Sequence, residues 1–275
     1  MPPKDTGWKW ATFILGCAVI VLSILVLRKE RTPTPPLPKP ESTEEQPVPV
    51  RRPPSLGEIA IIIDDFGYRD DAVSQGFLEL KVPLTFAVIP GHRYSRSFAE
   101  AANRKGFEVI AHMPMETHGK VRGEEDYRLL TSMSATAIRQ RLEKVIRELP
   151  FIAGMNNHQG SKATEDRRLM REVAAFLKAK GLFFIDSRTT AKSVVEDVMH
   201  QEGVPTGHRS VFLDNDADPD LVRHQVRELA RLAQKYGFVI GIGHARPNTL
   251  LVLQEEIPRL EQEGYRFVYV SRGVG

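Results

Sequence analysis

The chain has 275 residues, of which 41% are hydrophobic and 27% are charged, and its formal net charge is +3. This is the composition of a globular protein with one large core or two small ones, and the basic residues are scattered among acidic ones, which excludes the charged stripe of a nucleic-acid-binding protein. The single cysteine, Cys17, excludes an intramolecular disulfide and a cysteine metal cluster.

The first recognisable segment is residues 8–27, which is apolar after Lys9 for about the length that crosses a ~30 Å hydrocarbon core. We interpret it as a transmembrane helix within a membrane anchor of residues 1–30. A cleaved signal peptide is the alternative, but the segment is long for one and no small-x-small cleavage pattern follows it. Basic residues flank the segment on both sides, so charge alone does not set its orientation.

Residues 31–54 are crowded with proline and have no apolar period. This pattern predicts a disordered, extended linker without a packed core. A ligand for the aromatic groove of a partner protein is the alternative interpretation.

Residues 55–275 alternate short apolar runs with longer amphipathic ones. Ser134 precedes one amphipathic run, and Gly181 and Gly237 follow two others, as helix caps do. Repeated strand and helix predict a parallel α/β fold. Seven or eight units in about 220 residues favour a (β/α) barrel, complete or incomplete, although periodicity does not exclude an open sheet. The strand candidates are EIAIIID, PLTFAVI, FEVIAHM, FIAGM, LFFID, SVFLD, FVIGIG and RFVYV, and the helix candidates include SATAIRQRLEKVIREL, EDRRLMREVAAFLKAKG and PDLVRHQVRELARLAQKYG.

Polar residues recur where the strand candidates end, and in a parallel barrel these ends meet on the face that carries active sites. A lone aspartate there is usually a helix cap and a lone histidine is usually a satisfied structural group. Six such ends in one chain are hard to explain as caps, because caps use Ser or Thr as readily. The residues are Asp64, Asp65, His112, Asn156, Asn157, His158, Asp186, Asp214, Asn215 and His244.

Three of these side chains suit a divalent metal, for which we expect zinc, because they offer carboxylate oxygen and imidazole nitrogen and leave open positions. The three are Asp65, His112 and His158. Glu116, four residues after His112, is a further candidate as a fourth ligand or an outer partner, although Pro114 makes this segment a loop. Asp64 is then free to act as a general base on water, and His244 as the acid from the opposite side.

The chain resembles a known family at these residues. The motifs IDDFG, HMPME, GMNNHQGS, FIDSRT and IGIGHARP, in this order, are similar to those of the divergent polysaccharide deacetylases within the NodB-homology superfamily. The resemblance covers about residues 58–275 and implies a distorted (β/α)7-type barrel. It also implies that Asp64 is the base, that Asp65 and His112 are metal ligands, and that His244 is the acid.

Two features depart from the typical pattern of this superfamily. Typical members carry H-x-x-x-H with both histidines on the metal, whereas Glu116 stands at the second position here. Either Glu116 acts as an oxygen ligand or His158 replaces the missing histidine, and we favour His158. The arginine that orients the base in typical members is not visible; Arg188 or Arg246 can fill that place, with no spacing argument to choose between them.

The sequence therefore predicts a membrane-anchored, metal-dependent carbohydrate deacetylase on the extracytoplasmic side of a bacterial envelope, with an acetylated glycan as substrate. Asp186 is expected to orient His244 and to stabilise its charge. The alternative is a catalytically inactive module of the same fold that binds envelope glycan or a protein partner. The missing second histidine supports this alternative, whereas the presence of both Asp64 and His244 argues against it.

Overall fold

The computed structural model describes residues 55–120 and 123–275. The predicted anchor and linker, residues 1–54, lie outside this part, in which no helix has the length and apolar character needed to cross a bilayer. The nine strands in the described residues are β1 Gly57–Phe66, β2 Thr85–Val88, β3 Glu108–Met115, β4 Gly154–Gln159, β5 Phe183–Asp186, β6 Thr206–His208, β7 Val211–Phe212, β8 Phe238–His244 and β9 Tyr265–Val268. The same part of the chain contains seven α-helices: α1 Ala72–Phe77, α2 Ser95–Arg104, α3 Ala135–Glu148, α4 Arg167–Lys180, α5 Val195–Glu202, α6 Pro219–Tyr236 and α7 Pro247–Glu263.

All strand pairs in this sheet are parallel, which confirms the predicted α/β class. The strand order is β6-β5-β4-β3-β2-β1-β8-β7, and β9 pairs with the first half of β1. The carboxyl ends of all the strands therefore lie at one end of the sheet.

The parallel strands form an α/β half-barrel. Four strands separate β5 from β8 in the sheet, yet their side chains belong to one apolar cluster. Between β6 and β7, the amide of Arg209 donates to the carbonyl of Asp186 on β5, and the amide of Ser210 donates to the carbonyl of Ile240 on β8. The fold is thus consistent with the expected (β/α)7 barrel, in which residues 209–210 are hydrogen-bonded to both β5 and β8.

β1 is buried on both faces of the sheet, which explains the uninterrupted apolar run from Ile59 to Ile63. Ile59, Ile61 and Ile63 pack into the layer between the sheet and the helices. Ala60 and Ile62 face the barrel interior. Successive side chains alternate in this way because the period of a strand is two residues.

Helix caps confirm several predicted boundaries. The side chain of Ser134 accepts a hydrogen bond from the amide of Ala137 at the start of α3. Gly181 ends α4 with a φ of 68°, a left-handed conformation that costs glycine little. Two strand predictions overlap the observed strands at only two residues each: SVFLD at Val211–Phe212, and FIAGM at Gly154 and Met155 of β4. β6 was not predicted because TGH contains no apolar run.

Candidate active site

A β-bulge explains how two adjacent aspartates reach one site. β1 and β2 are paired at Ile63 and again at Phe66, but the register shifts between them, and Asp65 has a φ of 69°. On a regular strand, neighbouring side chains point to opposite faces, and the extra residue of a bulge re-aims one of them. Both carboxylates consequently approach His112, with Asp64 Oδ2 at 3.6 Å and Asp65 Oδ1 at 3.4 Å from its Nε2 atom.

The structure brings together the three predicted metal ligands. Asp65, His112 and His158 each present a ligand atom, and these atoms lie within 4.8 Å of one another. Nδ1 of His158 is 3.0 Å from Nε2 of His112 and 3.3 Å from Oδ1 of Asp65. That oxygen is buried and has no hydrogen-bond geometry to any described residue. A buried oxygen of this kind needs a cation or a proton, so the cluster fits a divalent metal ion.

Asn156 fixes the orientation of both Asp64 and His112. Its amide Nδ2 donates to Asp64 Oδ1 at 2.8 Å, and its Oδ1 lies 2.7 Å from Nδ1 of His112. Because an amide oxygen only accepts, Nδ1 of His112 must carry a proton. In the neutral imidazole this leaves the lone pair on Nε2, the atom that faces Asp65 and His158, as ligation requires.

The surroundings shift the pKa values of the two aspartates in opposite directions. Burial raises the pKa of Asp64, although the charges of His112 and His244 oppose this. Burial also acts against ionisation of Asp65, but its contacts with His112 and His158 outweigh that effect and place its pKa far below the usual range. Asp65 is thus the permanent anion suited to a metal, and Asp64 is the carboxylate suited to take up a proton.

His244 faces the cluster from β8. It is paired in register with Asp64, and its Nε2 lies 4.0 Å from Asp65 Oδ2. Its Nδ1 lies 2.8 Å from Oδ1 of Asp214, whose Oδ2 accepts from the His244 amide and from Thr249. Burial lowers the pKa of His244, but the bond to Asp214 outweighs this and raises it overall, which favours the protonated form that a general acid needs.

The expectation that Asp186 orients His244 is corrected by this arrangement. The carboxylate beside His244 is Asp214, which follows β7, the strand next to β8. Asp186 lies on β5, between β4 and β6, and its side chain accepts from the amide of Arg188. Chain order does not show that β7 rather than β5 adjoins β8, although Asp214 does end a predicted strand.

Glu116 does not join the cluster of ligand atoms. Its Oε2 accepts from the amide and the hydroxyl of Thr131, and its Oε1 accepts from Lys162 at 2.7 Å. Burial acts to raise its pKa, but these partners outweigh it and lower the pKa, so the carboxylate is already neutralised locally. This geometry supports His158 over Glu116 as the third ligand candidate.

Neither candidate arginine contacts Asp64. Arg188 pairs with Glu196 at 3.5 Å, and Arg246 donates to the backbone carbonyl of Asp214. The side chain that holds Asp64 is Asn156, a contact that the sequence did not reveal. The sequence marks Asn156 as one of the polar residues at strand ends, but the register of β3 and β4, which sets His112 opposite Asn156, comes from the structure.

The fold and the site together define an α/β half-barrel of parallel strands with a candidate metal centre at the carboxyl ends of the strands. The model of the divergent polysaccharide deacetylase family matches residues 61–274, and the chain belongs to this family.

The chain has uncharacterized relatives in two bacteria. It is 36% identical over 208 residues to an uncharacterized protein of Haemophilus influenzae, covering 75% of this chain and 73% of that protein. It is 34% identical over 204 residues to the uncharacterized protein YibQ of Escherichia coli, covering 74% of this chain but only 63% of YibQ.

Two solved structures share the fold. An uncharacterized protein of Agrobacterium tumefaciens superimposes with a TM-score of 0.74 at 21% identity, over 78% of this chain and 88% of that one. The catalytic domain of a peptidoglycan N-acetylglucosamine deacetylase from Eubacterium rectale gives a TM-score of 0.53 at 18% identity, over 80% of this chain and 90% of that one. At these identities the likeness establishes the fold alone.

We expect His158→Ala to weaken metal binding much more than Glu116→Ala. Loss of a metal ligand should lower the metal affinity at least ~10-fold, because mutation of a residue that only supports a ligand already costs that much. Glu116→Ala removes only the contacts of the Glu116 carboxylate with Thr131 and Lys162. Competition with a chelator measures both affinities, and the reverse order of effects would show that Glu116 is the ligand.

We also expect metal binding to release about one proton per ion at pH 7, because ligands bind in their deprotonated form. Burial would lower the pKa of His112, but the charge of Asp64 and contact with Asp65 raise it to about 9. The metal-free protein therefore holds a proton on this imidazole at pH 7, and apparent metal affinity should rise as pH increases towards 9. Calorimetric titration in buffers of different ionisation enthalpy counts the protons, and release of none would contradict this picture of the metal-free cluster.

Proposed function

We propose that the chain is a metal-dependent deacetylase that removes N- or O-acetyl groups from an envelope glycan. The observation that supports it is that Asp64 and His244 both lie against the Asp65, His112 and His158 cluster, with Asp64 Oδ2 at 3.6 Å from His112 Nε2 and His244 Nε2 at 4.0 Å from Asp65 Oδ2. A binding module has no need for a proton acceptor and a proton donor so placed. Membership of the divergent polysaccharide deacetylase family agrees with an acetylated glycan as substrate.

Asp65, His112 and His158 are the residues that would hold the ion. Zinc is the ion that we propose, since it accepts mixed carboxylate and imidazole ligands and keeps an open position in catalytic sites. A bound divalent ion supplies Lewis-acid polarisation of the acetyl carbonyl and increases the acidity of water. Asn156 keeps the His112 imidazole in the tautomer that this ligation requires.

The protein's own groups move the protons. Asp64 is buried and its pKa is raised, so it can take the proton from the attacking water. His244, held protonated by Asp214, then donates a proton to the departing amine or hydroxyl oxygen. The acetyl C–N or C–O bond breaks, the water oxygen is retained in acetate, and the glycan keeps a free amine or hydroxyl group.

The test is acetate release from a panel of N- and O-acetylated oligosaccharides by the full-length protein, with and without a chelator. We expect acetate from at least one glycan only when metal is present, and none from Asp64→Asn. Binding of metal and glycan without acetate release would contradict catalysis and support the inactive glycan-binding module.

The same proposal includes a location. We propose that residues 1–30 anchor the protein in the membrane and that residues 31–54 carry the barrel on the extracytoplasmic side, because acetylated envelope glycans are found there. A C-terminal reporter that is active only outside the cytoplasm should give signal in cells. Signal from a reporter that is active only in the cytoplasm would contradict this location.

A further inference from the structure

A small cleft opens beside the candidate metal centre on the side of His244. It has a cavity volume of about 100 Å³, and its lining includes Asp65, Tyr68, Arg69, His244 and Arg246. Two arginines thus line the same cleft as the ligand candidate Asp65 and the proposed acid His244. Neither arginine has a part in the proton transfers proposed above.

Arg246 is held in place but keeps most of its donors. Its Nη1 donates to the backbone carbonyl of Asp214 at 2.8 Å, and Asp214 also holds His244. The described hydrogen bond uses one of the five N–H donors of a guanidinium. The remaining donors form a planar fork of the kind that binds carboxylate or phosphate in pairs.

Arg69 has only a weak local partner. Its Nε lies 3.8 Å from Asp71, and its side chain is 69% exposed. Asp71 already caps α1 by accepting from the amide of Ser74. An exposed pair at this distance contributes little to stability, so the position of Arg69 at the cleft is not explained by the fold.

The unused donors at the cleft favour an anion. A divalent ion would offset the negative charges of Asp64 and Asp65, as a bound cation dominates the electrostatics of its site. Arg69 and Arg246 then line the cleft with only one partner described for each guanidinium, Asp71 at 3.8 Å from Arg69 and the backbone carbonyl of Asp214 at 2.8 Å from Arg246. A neutral sugar offers no charge to these two guanidinium groups. Tyr68, 41% exposed and held by a hydrogen bond to Glu124, adds an aromatic surface for a sugar ring at the same cleft.

We propose that this cleft binds an anionic group of the substrate, a carboxylate or a phosphate, through Arg69 and Arg246. The substrate class is then an acetylated glycan that carries an acidic substituent close to the acetyl group. This inference rests on the proposed function for the acetylated sugar, and it adds the acidic group.

Three acetylated oligosaccharides of equal length test it with the full-length, metal-loaded protein: a neutral one, one with a carboxylate on alternate sugars, and one with a phosphate there. The measured quantity is the ratio of kcat/KM for each acidic glycan to kcat/KM for the neutral one. We expect a ratio above ~10 for the carboxylate or the phosphate, the size of effect that paired charged hydrogen bonds give. Comparison of the ratios for the two acidic glycans shows whether the cleft prefers a carboxylate or a phosphate.

The variants are Arg69→Gln, Arg246→Gln and Arg246→Lys, with melting curves to verify folding. Both Gln variants should lower the ratio towards 1, and Arg246→Lys should keep part of it, since it retains charge without the fork. Arg231→Gln, which removes an exposed charge on α6 that pairs with Glu228, is the matched control and should keep the ratio.

The outcomes separate the two proposals. Equal turnover of neutral and acidic glycans by the parent and by all variants would overturn the anion site while leaving the deacetylase intact. If the parent releases no acetate from any glycan, the proposed function fails, and calorimetric binding of the same three glycans then decides the anion site. Tighter binding of an acidic glycan that is lost in Arg246→Gln supports the site, and equal binding of all three overturns it.

Discussion

Replacing Asp64 by Asn is expected to reduce turnover by the ~10²- to 10⁴-fold typical of general-base loss, while the metal content stays unchanged. The amide oxygen of the new side chain can still accept the hydrogen bond from Asn156, so the local geometry is kept. What is lost is the ability to take up a proton. The measurement combines steady-state acetate release with metal analysis of the purified variant.

Asp65→Asn is the matched comparison, one residue along the same bulge. It should lower metal occupancy and activity together, because an amide oxygen is a poorer ligand than a carboxylate for a divalent ion. If the pair were purely structural, both variants would change thermal stability to a similar extent and metal content would not respond. Loss of metal in both variants or in neither would refute the separate roles of Asp64 and Asp65, and metal analysis with a melting curve shows this before any substrate is known.

Replacing His244 by Gln is expected to reduce turnover by ~10²- to 10⁴-fold, the range of contributions from general acid-base catalysis. Asp214→Asn should act through the same imidazole. The contact with Asp214 raises the pKa of His244, so its removal lowers that pKa. Because the acid must be protonated, the alkaline limb of the kcat/KM profile should move to lower pH.

Asp186→Asn is the control for that shift. Both aspartates are buried, and Asp186 is the last residue of β5 whereas Asp214 follows β7, but only Asp214 contacts His244. The alkaline limb should stay in place in Asp186→Asn. A shift in Asp186→Asn without one in Asp214→Asn would show that the contact seen at β8 does not set the acidity of His244.

The sequence was sufficient for the class of fold and for the proximity of the three ligand candidates. Alternating apolar and amphipathic runs gave the parallel α/β class, and polar residues at strand ends marked the face where the site lies. The three ligand candidates, Asp65, His112 and His158, indeed lie together. These successes depend on local pattern and on the rule that parallel strands end on one face.

What the sequence did not reveal are contacts that depend on strand order and register. Asp186 and Asp214 are equivalent as polar strand ends, and only the adjacency of β7 and β8 selects Asp214 as the partner of His244. The bridge through Asn156 follows from the register of β3 and β4. The bulge at Asp65 places a non-glycine residue at positive φ, a conformation that costs roughly 1–3 kcal/mol. No pattern in the sequence predicts this conformation.

The central claim is that a divalent ion held by Asp65, His112 and His158 is required for release of acetate from a glycan. Its most direct test is to add zinc stepwise to metal-free full-length protein and to measure the rate of acetate release at each step. We predict a rate that is negligible without zinc and rises to a plateau at one ion per chain, with no such rise in Asp65→Asn. Acetate release that is independent of zinc, or no release at any loading from any acetylated glycan, would contradict the claim.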